Sequence, residues 1–160
     1  MKLMQPSHND LAAAIRSERA GVEALVEVLA AERLALGLGD TDRLAEMAPR
    51  KRELLLHIAH LGEQRNRLLE SCGASADRRG MERLLEANAD AATSRLEWNA
   101  LIELTQNAHR LNQENGAFIE AGMRANQQAL AVLTSTAQPS GTYGPSGRSI
   151  SFSSRSLASA

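Results

Sequence analysis

The side chains with the clearest potential for chemistry lie on one predicted helix: Glu53, His57 and His60. Their spacing of four and then three residues places them on one helix face, where imidazole and carboxylate could bind a transition metal. Helical di-metal sites, however, need a Glu-x-x-His pair on each of two helices together with further carboxylates. No glutamate in this chain is followed by a histidine three residues later. We therefore expect no metal site and no cofactor.

Other reactive residues form no stronger pattern. Cys72 is the single cysteine, which excludes an intrachain disulfide, and a thiolate near a helix C-terminus is disfavoured by the helix dipole. Gly37-Leu38-Gly39 lacks both a preceding strand and the residues that complete a phosphate-binding loop, so it indicates a helix stop. Trp98 stands at helical spacing from Leu101, which is typical of a core residue. We predict no catalytic residues and a protein that is not an enzyme.

Composition narrows the class of protein further. Only 2% of the 160 residues are aromatic, and Leu and Ala dominate the apolar residues, which favours an all-α fold. The formal net charge of −1 provides no basic field for nucleic acid, so we expect no nucleic-acid partner. No uncharged apolar run is long enough for membrane insertion, and no apolar signal segment stands at the N-terminus. We therefore expect a cytoplasmic protein.

Two amphipathic helices must position these side chains, and each carries apolar residues at alternating spacings of three and four. The first seam consists of Leu11, Ile15, Glu18, Val22, Leu25, Leu29, Glu32 and Leu36. The second seam consists of Leu44, Met47, Lys51, Leu54, Ile58, Leu61, Arg65, Leu68 and Cys72. The two seams match as an antiparallel hairpin in which Leu25 faces Ile58.

Charge selects this alignment of the hairpin. Both acids of the first seam meet a base of the second, Glu18 with Arg65 and Glu32 with Lys51. Sliding one helix by a heptad would oppose each acid to an apolar residue, at a cost of roughly 3 to 5 kcal/mol for each buried, unpaired carboxylate. If both acids lean out to solvent instead, each pair contributes under about 1 kcal/mol. The sequence leaves both arrangements open.

The ends of the predicted helices follow from capping residues, glycine and proline. Candidate N-cap residues are Ser7, Asn9 and Asp10 for the first helix and Thr41 and Asp42 for the second. The first helix should end at about Leu36 or Leu38 and the second at Gly73, with a kink or restart at Pro49. A short helix over 81–88, with Leu84 and Leu85 inward, should be either separate from or fused to a third long helix over 89–135.

The third long helix carries two apolar stripes. Its first half packs along Leu101, Leu104, Ala108, Leu111, Asn115 and Phe118. A second stripe, on a neighbouring face, consists of Ile119, Met123, Asn126, Leu130 and Leu133. This second stripe either completes the core at one end of a three-helix bundle or remains available to a partner helix. We predict the second arrangement and take these residues as the partner-binding site.

The chain is expected to divide into a helical bundle domain over 1–136 and a flexible tail over 137–160. The tail is rich in Ser, Gly and Pro and cannot bury enough apolar surface to offset its ordering entropy. Tyr143 is one of its two aromatic residues and is either incidental or a small docking anchor. We include Tyr143 in the predicted partner-binding site.

Several short motifs, taken together in this order, resemble the FlgN family of flagellar type III export chaperones. They are Lys51-x-x-Leu54-Leu55, Arg65-x-x-Leu68-Leu69 with Gly73 closing, Asn112-x-x-Asn115-Gly116, and Tyr143-Gly144-Pro145-x-Gly147. The resemblance implies a small cytoplasmic chaperone without ATPase activity. Such a chaperone binds C-terminal segments of hook-associated (hook-filament junction) proteins through its own C-terminal part and delivers them to the flagellar export gate.

Two other functions compete with this one. A structural coiled-coil adaptor or self-assembling bundle would use the second stripe of the third helix to form a homodimer. A helical-bundle metalloenzyme would instead bind metal at His57 and His60. Solution mass, measured with and without a hook-junction protein, separates the first two functions, and metal analysis tests the third.

Overall fold

The computed structural model describes residues 8–88 and 91–136, and these residues form four α-helices. The helices are α1 (His8–Leu38), α2 (Thr41–Ser71), α3 (Arg78–Glu86) and α4 (Ala92–Thr136). The predicted all-α class is confirmed. The tail over 137–160 lies outside the described residues, so the division of the chain at residue 136 stays a prediction.

The described residues fall into two compact units, with the boundary between Ile119 and Glu120. The first contains α1, α2, α3 and the first part of α4, and the second contains the rest of α4. The buried core lies in the first unit, whereas every described residue from 117 to 135 is exposed.

The hairpin between α1 and α2 turns at glycine, as predicted, but its cap is a different residue. Gly39 adopts a φ of +67°, a left-handed conformation that glycine tolerates without a steric penalty. Asp40, rather than the predicted Thr41 or Asp42, caps α2, because its carboxylate accepts a hydrogen bond of 3.1 Å from the Arg43 amide. At the start of α1, Asn9 and Asp10 lie inside the helix and Ser7 lies outside the described residues.

Helix α2 contains Pro49 in its interior and continues through it without a restart. Proline removes one backbone hydrogen bond and costs about 3 kcal/mol in a helix interior. Helix α2 nevertheless stays continuous, and it packs along α1 in the hairpin. The predicted restart of α2 at Pro49 is therefore wrong, and the alternative, a kink at Pro49, stays a prediction.

The core is built mainly on α1. Helix α1 buries Leu11, Ile15, Val22, Leu25, Leu29 and Ala35, and α4 adds Trp98, Leu101 and Ala108. Helix α2 buries only Leu54 and Leu69 among its described residues. Helix α2 therefore adds fewer buried side chains to this core than α1 does.

The short helix α3 is separate from α4 and begins slightly earlier than predicted. Asp77 caps it by accepting a 2.6 Å hydrogen bond from the Gly80 amide, and this bond is the main reason that the pKa of Asp77 is lowered. Met81 and Leu85 belong to the buried core, while Leu84 is only half-buried. The inward position of Leu85 is confirmed, and that of Leu84 holds only in part.

The first stripe of α4 faces the core as far as Asn115: Leu101, Ala108 and Asn115 are buried, and Leu104 and Leu111 are half-buried. Phe118, predicted as its last inward residue, is 44% exposed. The centre of its ring lies 5.8 Å from the guanidinium carbon of Arg33, so the ring contacts a cation at the surface of α1. The prediction of an inward Phe118 is wrong, because Asn115 is the last buried residue of α4 in the described part of the chain.

Candidate functional site

Two ion pairs confirm the predicted alignment of the hairpin. Lys51 Nζ donates to both carboxylate oxygens of Glu32, at 3.0 and 2.9 Å. Arg65 Nη1 lies 3.4 Å from Glu18 Oε2. Each pair joins a residue of α1 to the residue of α2 that the seams match with it, so the charges and the apolar seams specify one alignment.

Glu18 is buried rather than turned toward solvent, with 8% of its surface exposed. Burial raises the pKa of Glu18, and the nearby Arg65 guanidinium opposes this shift only in part. Glu18 Oε2 makes no hydrogen bond within residues 8–88 and 91–136, which weakens the pairing. Arg65 in turn lies over the buried Trp98, with its guanidinium carbon 5.1 Å from the ring centre. This cluster joins α1, α2 and α4.

A second polar cluster joins the same three helices through Asn115, which is 1% exposed. Its side-chain amide donates to the Leu29 carbonyl at 2.9 Å and to Glu32 Oε2 at 2.8 Å. Glu32 also accepts from Lys51, so one carboxylate is shared by α2 and α4. This arrangement gives Asn115, from the motif Asn112-x-x-Asn115-Gly116, a physical role: it anchors α4 on the hairpin.

Helix α4 runs parallel to α1 within the first unit. The Nη1 atom of Arg19 lies 2.5 Å from Oε2 of Glu97. Further along both helices, Nη1 of Arg33 lies 3.6 Å from Oε2 of Glu114. Both pairs are partly exposed, so each contributes little to stability. The two pairs establish the direction of α4, because residue numbers rise in the same direction along α1 and α4.

The predicted partner-binding residues lie on one continuous helix, α4, and their side chains are exposed. Ile119 is the last residue of the first unit, and the second unit contains Met123, Asn126, Leu130 and Leu133. Met123 is 58% exposed and Leu130 is 61% exposed. Spacings of three, four and three residues place Met123, Asn126, Leu130 and Leu133 on one face of α4 in the second unit, which we call the client face. Tyr143, the sixth predicted site residue, lies outside the described residues.

The surface around the client face carries almost no net charge. Glu120 and Arg124 are neighbours on α4, with 3.8 Å between Glu120 Oε2 and Arg124 Nη1. No ionisable side chain occurs from Ala125 to Ser135. The client face is thus an exposed, uncharged strip of apolar side chains with one amide, Asn126, in its middle. Such a strip can pack against an amphipathic helix.

A cleft of about 300 Å³ opens between the long helices of the first unit, which sequence reasoning missed. Val22, Leu25 and Leu29 line it from α1, Leu55 and Ile58 from α2, and Thr105, Ala108 and Asn112 from α4. A signal in the sequence is the small or polar character of Thr105, Ala108 and Asn112, which leave room opposite the larger apolar side chains of α1 and α2.

The described residues contain no group of three or more His, Cys, Asp or Glu side chains arranged to hold a metal ion. His57 and His60 are exposed, and the His60 Nε2 atom lies 2.8 Å from Gln64 Nε2. Trp98 is buried, as predicted, and Cys72 is half-buried. Among the helices described, none is both long and apolar enough to cross a membrane.

The fold and the client face together define a class: a small all-helical protein that presents an uncharged apolar helix face. The comparisons with known proteins narrow this class to a family. The sequence model of the FlgN protein family matches residues 1–149, and the chain belongs to this family.

Known relatives carry the same family name. The Flagella synthesis proteins FlgN of Salmonella typhimurium and Salmonella typhi are each 33% identical to this chain over 126 residues, covering 78% of this chain and 79% of theirs. The Flagella synthesis protein FlgN of Proteus mirabilis is 27% identical over 123 residues, covering 76% and 77%. No solved structure matches the chain.

Proposed function

We propose that this protein is a cytoplasmic flagellar export chaperone. It binds the C-terminal helical segments of hook-associated proteins, prevents their premature association and delivers them to the flagellar export gate. Membership in the FlgN family supports the flagellar role. The observation that carries the binding role is the client face, whose apolar side chains are exposed on α4.

The client face contains enough apolar surface for reversible binding. A fully buried Leu or Met side chain contributes about 1.5 to 3 kcal/mol relative to an exposed one. Because Met123 and Leu130 are more than half exposed, a partner that covers them gains about 1 to 2 kcal/mol from each. Methionine adds adaptability, since its flexible thioether can pack against differently shaped partners.

The tail over 137–160 is proposed to act after client binding, when the client is delivered to the export gate. Tyr143 would serve as a secondary anchor that contacts the export gate rather than the client. A Tyr143→Ala variant is then expected to keep its thermal stability and its client affinity while secretion of the client falls. Loss of client affinity in this variant would place Tyr143 in the client site instead.

The proposal is tested by titrating the full chain with the C-terminal segment of a hook-filament junction protein from the same host. Replacing both Met123 and Leu130 with Gln should weaken binding about 30- to 1000-fold, which corresponds to a loss of about 2 to 4 kcal/mol. The matched control replaces Ala121 and Ala131 with Gln, two small exposed residues of α4 outside the client face.

The control variant should bind the segment like the wild type, and thermal melts should show both variants folded. Equal binding by the two double variants would contradict the proposal. A second interpretation is that the client face joins two copies of this chain. Sedimentation of the chain alone, which measures its mass in solution, distinguishes this interpretation from the chaperone role. A doubled mass that is lost in the Met123 and Leu130 double variant, and that does not change when the client segment is added, would favour a self-assembling adaptor.

A further inference from the structure

Asn126 is the one polar member of the client face. It follows Met123 by three residues and precedes Leu130 by four, so it occupies the centre of the apolar strip. Its side chain is exposed and makes no hydrogen bond within the part of the chain that the structure describes. Any partner helix that covers Met123 and Leu130 must therefore also cover this amide.

Covering Asn126 has a different consequence from covering its neighbours. An amide that loses water without gaining a hydrogen bond weakens binding about tenfold or more, whereas an amide that meets a hydrogen-bonding partner does not. In paired helices, a single asparagine in an apolar seam restricts the alignment for this reason. A partner helix shifted along α4 would place an apolar residue on Asn126 and leave its amide unpaired.

Charged side chains cannot perform this selection on the client face. Glu120 and Arg124 lie beside each other at its N-terminal end, and the helix carries no ionisable residue from Ala125 to Ser135. A charged residue placed opposite Asn126 would be buried without a counter-charge, which is costly. The side chain that suits this position is therefore uncharged and able to form a hydrogen bond.

We propose that Asn126 is the specificity-determining residue of the client face. It selects amphipathic helices whose apolar seam carries one amide or hydroxyl side chain at the position opposite Asn126. This inference rests on the proposed function, because the occupant is the helical segment of the client. It goes further by stating the chemistry that distinguishes a client helix from other amphipathic helices.

Two helical peptides test this role of Asn126 directly. Both carry leucine at alternating spacings of four and three residues, and they differ only at the central seam position, which is Asn in one and Leu in the other. The dissociation constants of both peptides are measured with the full-length wild type and with Asn126→Leu. The substitution should shift the ratio of the two constants about tenfold or more toward the Leu peptide.

The control variant is Gln128→Leu, which adds an apolar side chain to α4 on the side away from the client face. This variant should leave the ratio of the two dissociation constants unchanged. A ratio that moves less than about twofold in Asn126→Leu would overturn the inference, because coupled side chains change binding by more than this. Failure of both peptides to bind either protein, or a doubled solution mass that excludes them, would also overturn it.

The same titrations separate this inference from the proposed function. If the peptide ratio shifts as expected but the hook-junction segment does not bind, the proposed client is wrong and the selectivity of Asn126 stands. If the segment binds through the client face and the ratio does not shift, the proposed function stands and Asn126 has no selective role.

Discussion

Replacing Asn115 with Ala tests whether the buried amide anchors α4 to the hairpin. The substitution removes a hydrogen bond to the Leu29 carbonyl and one to the Glu32 carboxylate. A neutral hydrogen bond contributes about 1 kcal/mol and one to a charged group about 1.5 to 3 kcal/mol. The free energy of unfolding should therefore fall by about 3 kcal/mol, and the melting temperature by about 10 °C for a domain of this size.

Urea unfolding, followed by circular dichroism, measures this loss of stability, and Asn112→Ala provides the control. Asn112 is exposed on α4 one turn before Asn115, so its replacement should change the free energy of unfolding by less than about 0.5 kcal/mol. Equal stability of Asn115→Ala and the wild type would refute the anchoring role. So would an equal loss in the two variants, because the effect would then not depend on burial.

Three further predictions concern the bundle and the client face. Because burial raises the pKa of Glu18 above 4.5, its contribution to stability is present below that pH and is lost as pH rises through the folded-state pKa. Glu18→Gln should thus gain stability relative to wild type as the pH rises from below 4.5 in a series of urea titrations, and a constant difference would contradict this. Gly80→Ala should destabilise the protein by about 1 to 3 kcal/mol in thermal melts, since the added Cβ would overlap the backbone carbonyl oxygen of Ser75 and lie 2.6 Å from its Oγ; an unchanged melt would argue against this packing. Leu29→Ala should cost about 2 to 5 kcal/mol and Leu130→Ala under about 1 kcal/mol in the same melts, because these residues are 1% and 61% exposed; equal losses would place Leu130 in the core.

The hairpin could be predicted from the sequence because two independent patterns agreed. The apolar seams restrict which faces of α1 and α2 meet, and the pairs Glu18 with Arg65 and Glu32 with Lys51 restrict the sliding of one helix along the other. Both ion pairs occur in the structure. Either pattern alone would have left the alignment open, since an apolar seam repeats every heptad.

Features that depend on a choice between similar neighbours were not predictable. Asp40, Thr41 and Asp42 all carry oxygens that can cap α2, and the outcome depends on where Gly39 ends the preceding turn. Asn115 fitted the first stripe of α4, but the periodicity of the stripe could not show that its partners are Leu29 and Glu32.

The point along α4 at which burial ends could not be predicted from the sequence either. Phe118 continues the spacing of the first stripe, yet burial ends at Asn115. For the client face, the sequence predicted which residues share a side of the helix and left open whether that side faced the core. Their exposure is a property of the folded chain, because it depends on which other elements cover them.

Hydrogen exchange of the full chain, with and without the C-terminal segment of a hook-filament junction protein, tests the central claim most directly. Binding at the client face should slow exchange of backbone amides over residues 123–133 and leave the core of α1 unchanged, because bound amides open less often. The Met123 and Leu130 double substitution to Gln should abolish this protection. Protection confined to the cleft between α2 and α4, or persisting in the double variant, would contradict the account.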